Sequence, residues 1–176
     1  RIVAPLGTVA VAADSLGVTA ESFCYMPGYG IGSAATTLVG QSIGAERRDQ
    51  AKRFAWLSVG LGVSVMTGTG ILMYIAAPWI FSMLTPDGAV QTLGAAVLRI
   101  EAFAEPLFAA SIVAAGALRG AGDTLIPSII ELGSMWGVRI TLALLLVGPL
   151  GLHGVWIAMC VELCVRGLLF LLRMLR

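Results

Sequence analysis

The sequence predicts an all-α protein that crosses a membrane several times, and its composition carries this prediction. Hydrophobic residues make up 58% of the chain and charged residues only 12%, whereas a soluble domain has roughly 25% charged residues. The mean hydropathy is +0.93. The 22 glycines suit a bundle of transmembrane helices, because small residues let such helices approach closely. We therefore expect a polytopic transmembrane helical bundle whose main partner is the lipid bilayer. No basic stripe indicates a nucleic-acid partner.

Hydrophobic runs separated by polar turns predict five complete spans plus the end of another helix. Each run exceeds the roughly 20 helical residues that a hydrocarbon core requires. The residues 1–13 are shorter than a span, and we interpret them as the tail of a truncated helix without a signal-peptide pattern. The chain is thus expected to form a single transmembrane domain over residues 1–176, as a fragment of a longer membrane protein. The five predicted spans are residues 15–44, 53–84, 89–118, 125–147 and 150–172.

The turns between the predicted spans alternate in charge. GAERRDQAKR (44–53) carries four basic residues and LRGAGDT (118–124) carries one, whereas TPDG (85–88) and GPLG (148–151) carry none. The end of the chain is basic as well. Because cytoplasmic connectors carry the excess of Lys and Arg, we expect the C-terminus and the two basic connectors on the cytoplasmic side of the plasma (inner) membrane. The GPLG turn is so short that spans four and five must form a tight helical hairpin.

Eight charged side chains fall inside the predicted spans, where each costs roughly 3 kcal/mol at the bilayer centre on insertion scales. Such side chains normally face a bundle interior or a water-filled cavity. Glu162 and Arg166 lie four residues apart, on one helix face, and are predicted to form a structural ion pair. The eight residues are Glu21, Arg99, Glu101, Glu105, Glu131, Arg139, Glu162 and Arg166.

Glu101 and Glu105 are also four residues apart, but they carry the same sign, so both cannot ionise in a low dielectric without a counter-ion. Pro106 clashes with the carbonyl of Ala102, which is expected to stay free between the two glutamates. Carboxylates beside a free carbonyl suit a hard cation such as Na⁺, and they equally suit a proton carrier. The alternative interpretation is that Glu101 pairs with Arg139 while Glu105 faces a polar lumen.

The first span contains MPGYGIG, in which one proline and three glycines follow each other closely. We expect the helix to break or bend there in mid-membrane, which requires protein or a cavity around the irregular backbone. Gly28 and Gly32 also form a GxxxG pair that favours close helix packing, and both interpretations stay open. The residues of this expected hinge are Pro27, Gly28, Gly30 and Gly32.

Two longer stretches resemble a known family. MPGYGIGSAATTLVGQSIGAERRDQAKR (26–53) and EPLFAASIVAAGALRGAGDTLIPSIIELGSMWGVR (105–139) are similar to parts of the C-terminal half of multidrug and toxic compound extrusion (MATE) transporters. The similarity runs along essentially the whole chain in the same order. It implies a twelve-helix protein of two six-helix lobes, of which this chain is most of the second lobe and lacks the N-terminal lobe. It also implies multidrug efflux by antiport, in which organic cations and other xenobiotics leave the cell in exchange for Na⁺ or H⁺.

The resemblance gives the acids of the spans a role in binding the coupling ion or the substrate. Glu105 is the leading candidate, Glu101 and Glu21 follow, and Arg139 is the expected counter-charge. Some family members carry an acid at the position that Ala109 occupies in this chain, so that acid is absent here. Flexing is expected at Pro106 as well as at the first-span hinge. Eight soft or aromatic side chains are candidates for the cavity wall: Phe23, Tyr25, Met26, Tyr29, Phe103, Phe108, Met135 and Trp136.

Two other functions are weighed against antiport. A lipid-linked oligosaccharide flippase of the same superfamily would need a cationic cavity for pyrophosphate, but acids outnumber arginines in the spans by five to three. A non-transporting membrane scaffold would leave Glu101 and Glu105 without a purpose. The sequence offers no nucleophile with a base partner and no metal-ligand spacing among its cysteines. We therefore expect neither an enzyme nor a cofactor, and no metal apart from Na⁺ at the two glutamates.

Overall fold

The computed structural model describes residues 3–175, and over that range it contains helices and turns without strands. This confirms the predicted all-α class. A short 3₁₀ turn at Ala4–Leu6 precedes six α-helices, and a π-helical turn at Met135–Ile140 joins the last two. The helices are α1 (Thr8–Gly44), α2 (Arg48–Leu84), α3 (Gly88–Ala102), α4 (Glu105–Gly120), α5 (Leu125–Ser134) and α6 (Thr141–Met174).

Helix α1 begins seven residues before the predicted first span. Gly7 has a φ of +95° and separates α1 from the preceding turn. The prediction that residues 1–13 end another helix is therefore wrong for residues 8–13, which form the first turns of α1. Residues 8–13 are too short to form a span alone, but nothing between Thr8 and Ser15 opposes a helix, so they extend the first span at its N-terminus. Arg1 and Ile2 lie outside the described residues.

The expected break in the first span is absent, because α1 keeps helical conformation from Thr8 to Gly44 with a proline inside it. Close packing of small residues accounts for this. A Cβ on Gly32 would lie 3.2 Å from the Ile112 carbonyl oxygen, and a Cβ on Gly28 would strike Met66. Flexing at this segment stays a prediction. The helix is continuous through the four residues concerned, Pro27, Gly28, Gly30 and Gly32.

The third predicted span, in contrast, is broken where its proline stands. Helix α3 ends at Ala102, and α4 begins at Glu105 with Pro106 in its first turn. The Ala104 N–H donates to the Glu101 carbonyl at 2.8 Å and closes the turn between the helices. Among the described residues, no backbone N–H across the break donates to the Ala102 carbonyl. The predicted free carbonyl between the two glutamates is therefore present.

Helix α4 forms the centre of the bundle, since every residue from Phe108 to Ala117 is buried. It packs against α1, α2 and α6. Small residues make this possible, because a Cβ on Gly116 would collide with the backbone carbonyl of Gly32 in α1. The Thr36 hydroxyl donates to the Gly116 carbonyl at 2.8 Å across the same contact. This is the close small-residue packing typical of transmembrane helices.

The chain reverses direction inside α6 at Gly151, whose φ of 56° and ψ of −132° are not helical. A Cβ on Gly154 would strike the Leu146 carbonyl, whereas in one straight helix these residues would be about 12 Å apart. The structure therefore contains the tight hairpin predicted at GPLG. Contacts nested around the reversal join Gly154 to Leu146, Arg139 to Met159 and Ser134 to Glu162.

Within residues 3–175, two helical stretches are long and apolar enough to cross a membrane, Arg48–Leu84 and Leu125–Met174. The second has 50 residues and would be about 75 Å long as one straight helix, so the reversal at Gly151 divides it into two spans. Helix α1 has 37 residues and is also longer than the roughly 30 Å hydrocarbon core requires. The remaining crossing is shared by α3 and α4, which are too short individually. The five predicted spans thus correspond to these helical segments.

Candidate functional site

The break between α3 and α4 places two acidic side chains in the bundle interior. Glu101 and Glu105 are both 0% exposed. None of their four carboxylate oxygens has a hydrogen-bond partner within residues 3–175. Buried polar side chains are nearly always hydrogen-bonded in proteins, and a buried unpaired charge is strongly unfavourable. The oxygens of each carboxyl group therefore require a proton, a cation or a water molecule as a partner.

The two acids stand at helix ends of opposite polarity. Glu101 lies in the last turn of α3, and Glu105 is the first residue of α4. A helix carries partial positive charge at its N-terminus and partial negative charge at its C-terminus. The field of α4 therefore favours a negative charge on Glu105, whereas the field of α3 disfavours one on Glu101. This difference singles out Glu105 as the carboxylate better suited to bind a cation.

Helix α2 approaches the break through a glycine that the sequence analysis did not single out. A Cβ on Gly70 would lie 3.0 Å from the Cβ of Glu105 and 3.4 Å from the Ala102 carbonyl oxygen. A groove of about 330 Å³ opens beside this contact and is lined by Gly70, Ala102, Phe103 and Pro106 among others. In the sequence, the signal that could have indicated this contact is a glycine in the neighbouring span together with the proline in the third span.

Helix α1 contributes a third acid, since Glu21 is 5% exposed. It acts electrostatically on both Glu101 and Glu105. Arg139 acts on Glu21 and Glu101 in turn. The structure thus places Glu21 within electrostatic reach of Glu101 and Glu105, and Arg139 within reach of Glu21 and Glu101. Their roles remain predictions.

Arg139 does not form the direct ion pair with Glu101 that the sequence left open. Its Nη2 instead contacts the Met159 Sδ at 2.6 Å. No acidic oxygen of the described chain lies within 4.0 Å of its guanidinium, since the two ion pairs there involve Arg166 and Arg173. Arg139 therefore acts on the acids at longer range. The same part of the chain contains no group of three or more His, Cys, Asp or Glu side chains arranged for a metal ion.

Asp14 is a half-buried acid that the sequence analysis missed, because it lies one residue before the predicted start of the first span, whereas α1 begins at Thr8. Its Oδ1 accepts a hydrogen bond of 2.9 Å from the Trp156 Nε1, which links α1 to α6. The contact is close, since a Cβ on Gly17 would lie 2.8 Å from the Trp156 ring. Asp14 also acts on Glu21. The two acids are seven residues apart on one helix face, so extending the span to Thr8 would have revealed them together.

Replacing Trp156 with Phe is expected to lower the free energy of unfolding by about 1–3 kcal/mol or more, because the Asp14 carboxylate loses its donor and the smaller ring leaves the close contact with Gly17 partly empty. Thermal unfolding of the purified protein in detergent measures the change. The matched control is Trp136→Phe, at a side chain that is 68% exposed, and it should leave the midpoint unchanged. Equal shifts for both variants would show that the Asp14 hydrogen bond contributes nothing specific.

The predicted ion pair in the last span is confirmed. The Arg166 Nε lies 3.2 Å from the Glu162 Oε1, and the Ser134 hydroxyl donates to the same oxygen at 2.8 Å. The Arg166 guanidinium also lies 5.6 Å from the centre of the Phe108 ring. Glu162 is therefore neutralised and tied to the neighbouring helix, as expected for a structural group.

Most of the side chains predicted to form a soft cavity wall lie on the surface of this lobe. Phe108 is buried and Tyr25 is half-buried, with their rings edge to face at 5.9 Å. The other side chains remain available to a partner surface or to lipid. Six of the eight are exposed: Phe23, Met26, Tyr29, Phe103, Met135 and Trp136.

A helical bundle with a broken central span and buried, incompletely bonded acids defines one lobe of a polytopic membrane transporter. The family model described as MatE matches residues 1–145. The chain belongs to the MatE (MATE) family of transporters.

Relatives along the whole chain agree with this assignment. The "Probable multidrug resistance protein NorM" of Pasteurella multocida is 35% identical over 181 residues, which cover 98% of this chain and 39% of the relative. The NorM protein of Mannheimia succiniciproducens is 32% identical, covering 98% and 38%. The chain therefore spans about two fifths of the length of these curated relatives.

Solved structures share the fold. The Vibrio cholerae MATE transporter VcmN in its bent form superposes with a TM-score of 0.91 at 17% identity, over 99% of this chain and 40% of that one. A MOP superfamily transporter from Pyrococcus furiosus gives a TM-score of 0.89 at 22% identity, over 96% and 38%. The predicted helical lobe is thus confirmed as an architecture.

Proposed function

We propose that this chain is the C-terminal lobe of a secondary antiporter that exports organic cations and other xenobiotics in exchange for Na⁺ or H⁺. One observation carries the proposal: the four carboxylate oxygens of Glu101 and Glu105 are buried without partners at a broken helix. Intramembrane acids of this kind mark ion and substrate pathways. The relatives named as multidrug resistance proteins support the same class of substrate.

In the proposed mechanism, Glu105 binds the substrate cation and the coupling ion in turn. Its carboxylate stands at the N-terminus of α4, and the free Ala102 carbonyl is one further oxygen ligand for Na⁺. Entry of Na⁺ or H⁺ from outside neutralises the carboxylate and releases the drug. Both acids are sealed from solvent within this lobe, an arrangement that suits the ion-loaded state.

Coupling requires that the two ligands prefer different arrangements of the protein, since a ligand shifts a conformational equilibrium only by its differential affinity. The α3–α4 break is the natural pivot, because α3 and α4 are separate helices joined at Phe103 and Ala104. Flexing of α1 at Pro27 would accompany it. The missing wall of the cavity would come from an N-terminal lobe of the same protein, which is the expected partner of this chain.

In the proposed topology, the protein lies in the plasma membrane, and its basic connectors and C-terminus face the cytoplasm. The structure supports it by bringing these parts together at one end of the bundle. Arg173, near the C-terminus, binds Asp123 of the third connector at 2.8 Å. Arg48, at the end of the first connector, lines the same cavity as both residues. Three basic ends on one side of the membrane agree with the positive-inside rule.

Export by the full-length gene product that contains this chain tests the proposal. A Na⁺ or H⁺ gradient is imposed across the membrane of inverted vesicles that contain the protein, and ethidium accumulation is followed by fluorescence. Accumulation is expected with at least one of the gradients and should stop when an ionophore dissipates it. Vesicles without the protein provide the baseline. Equal accumulation with and without both gradients would contradict antiport.

The scaffold alternative is separated from antiport by replacing Glu101 and Glu105 together with Leu. A scaffold should keep or gain stability, because two buried unpaired carboxyl groups are removed. A transporter should lose ethidium accumulation at equal protein level. The flippase alternative has less support, since the buried cluster of three acids and one arginine would repel a pyrophosphate group. Retained accumulation in the double variant would exclude a coupling role for either glutamate.

A further inference from the structure

A second cavity lies at the end of the bundle where the basic connectors meet, and the proposed transport cycle does not use it. Its volume is about 450 Å³, and residues of α1, α2, α4 and α6 line it. The walls are largely apolar, formed by Val39 and Ile43 of α1, Ala51 and Ala55 of α2, and Leu118 of α4. The cavity is therefore suited to hydrocarbon on its inner side.

One face of α2 brings positive charge and an aromatic ring to this cavity. Arg48, Lys52 and Trp56 all line it, and their spacing of four residues places them on one side of the helix. Neither Arg48 nor Lys52 has an acidic oxygen within 4.0 Å in the described part of the chain. Trp56 is 41% exposed, as expected for a tryptophan at the membrane interface.

The remaining charges of the lining neutralise each other. Arg173 donates to the Asp123 Oδ2 from its Nε at 3.0 Å and from its Nη2 at 2.8 Å. This pair leaves Arg48 and Lys52 as the uncompensated charges of the cavity. A ligand with a negative group at the mouth and hydrocarbon inside would complement both features, whereas an organic cation would be repelled.

We propose that this cavity binds one anionic phospholipid, with its phosphate at Arg48 and Lys52 and an acyl chain between α1, α2 and α4. The proposal goes beyond ion-coupled export and does not depend on it. Inorganic phosphate alone does not fit as well, because Val39, Ile43 and Leu118 offer no polar partners to it. The bound lipid would hold the first turn of α2 against the third connector and the last helix, so it should stabilise the lobe.

Lipid binding to the full-length gene product tests the proposal. The purified, delipidated protein is titrated in detergent with phosphatidylglycerol, phosphatidylcholine or inorganic phosphate. Bound lipid is counted by native mass spectrometry, and the unfolding midpoint is followed in parallel. Phosphatidylglycerol should bind and raise the midpoint, whereas the other two should not. Each cation near an anionic headgroup contributes about fivefold in affinity, so Arg48→Gln with Lys52→Gln should weaken binding about 25-fold.

The matched control is Arg47→Gln with Arg53→Gln, which removes the same charge from the same segment at residues that do not line the cavity. It should keep the wild-type affinity, and so should Arg48→Lys with Lys52→Arg, which preserves both charges. An equal loss in the control would reduce the effect to diffuse surface charge and overturn the proposal. Equal protection by phosphatidylcholine or by phosphate would also overturn it. If the double variant does not purify, either single variant decides the question through its fivefold loss.

Discussion

The variant Glu105→Gln is expected to abolish ion-driven ethidium accumulation while the protein remains folded in the membrane. Gln has nearly the shape of Glu, but it can neither release a proton nor attract a cation by charge. A charge-assisted contact contributes about 1.5–3 kcal/mol, which corresponds to roughly a 10- to 150-fold loss of cation affinity. Accumulation rates in inverted vesicles, at protein levels matched by quantitative blotting, measure the effect.

Two further variants separate the coupling role from structural explanations. Glu46→Gln makes the same chemical change at an exposed residue of the first connector and should keep normal accumulation. Glu101→Gln should reduce accumulation less than Glu105→Gln, because the field at the end of α3 favours the neutral form that Gln resembles. The unfolding midpoint of Glu105→Gln should be unchanged or raised, since a buried carboxyl without partners is removed. Undiminished accumulation with Glu105→Gln would transfer the coupling role to Glu101 or to another part of the protein.

The largest loss of stability is expected from Gly116→Val, at the crossing of α1 and α4. A valine side chain would collide with the backbone of Gly32 and would separate the Thr36 hydroxyl from the Gly116 carbonyl, now 2.8 Å apart. Overpacking costs about 1–3 kcal/mol, and a hydrogen bond between transmembrane helices about 0.6–1.7 kcal/mol. Together these losses lower the free energy of unfolding by about 3 kcal/mol. The unfolding midpoint in detergent and the yield of monodisperse protein should both fall.

Gly60→Val is the matched control for this packing prediction. Gly60 lies in α2, and a Cβ added there would meet nothing within 4 Å. Valine has a higher helix propensity than glycine by a few tenths of a kcal/mol, so the unfolding midpoint should be unchanged or slightly raised. Similar losses in both variants would show that the glycines of this protein are required for a reason other than the α1–α4 contact.

The sequence predicted the number of crossings well, because each span is a long apolar run and the basic connectors alternate. It predicted the ends less well, as the start of α1 shows. Asp14 lies just before the predicted first span, and its partner inside the bundle is the Trp156 Nε1 of α6. A polar side chain satisfied by a distant helix cannot be recognised from local pattern, since its partner is 142 residues away.

Two of the prolines in the predicted spans, Pro27 and Pro106, illustrate the same limit in backbone geometry. Each removes one helical hydrogen bond, and yet α1 continues through Pro27 whereas the helix stops before Pro106. Around Pro27 the glycine face packs closely against the Ile112 region of α4, which supports the helix from outside. Local sequence contains both prolines but not the neighbours that decide between a continuous helix and a break.

The candidate acids were found from the sequence, because charges in apolar spans are conspicuous, but their bonding was not. Two interpretations were left open, a pair between Glu101 and Arg139 and a pair of acids awaiting a ligand. The arginine turned out to contact Met159 instead. Choosing between the two required the position of the π-helical turn that carries Arg139 relative to α3, which no spacing along the chain encodes.

The hairpin at Gly151 has a consequence for how the protein enters the membrane during its synthesis. Span four ends in a turn too short to form a separate loop, and its Ser134 is hydrogen-bonded to Glu162 of span five. Glu162 in turn is paired with Arg166 on its own helix. An isolated span five would keep this ion pair, but Glu162 would lose its Ser134 donor and the pair would face lipid, where charged side chains are costly. The two spans should therefore leave the insertion machinery as one unit. If synthesis stops before Gly151, span four lacks the Glu162 partner of its Ser134 and should insert into the bilayer less stably.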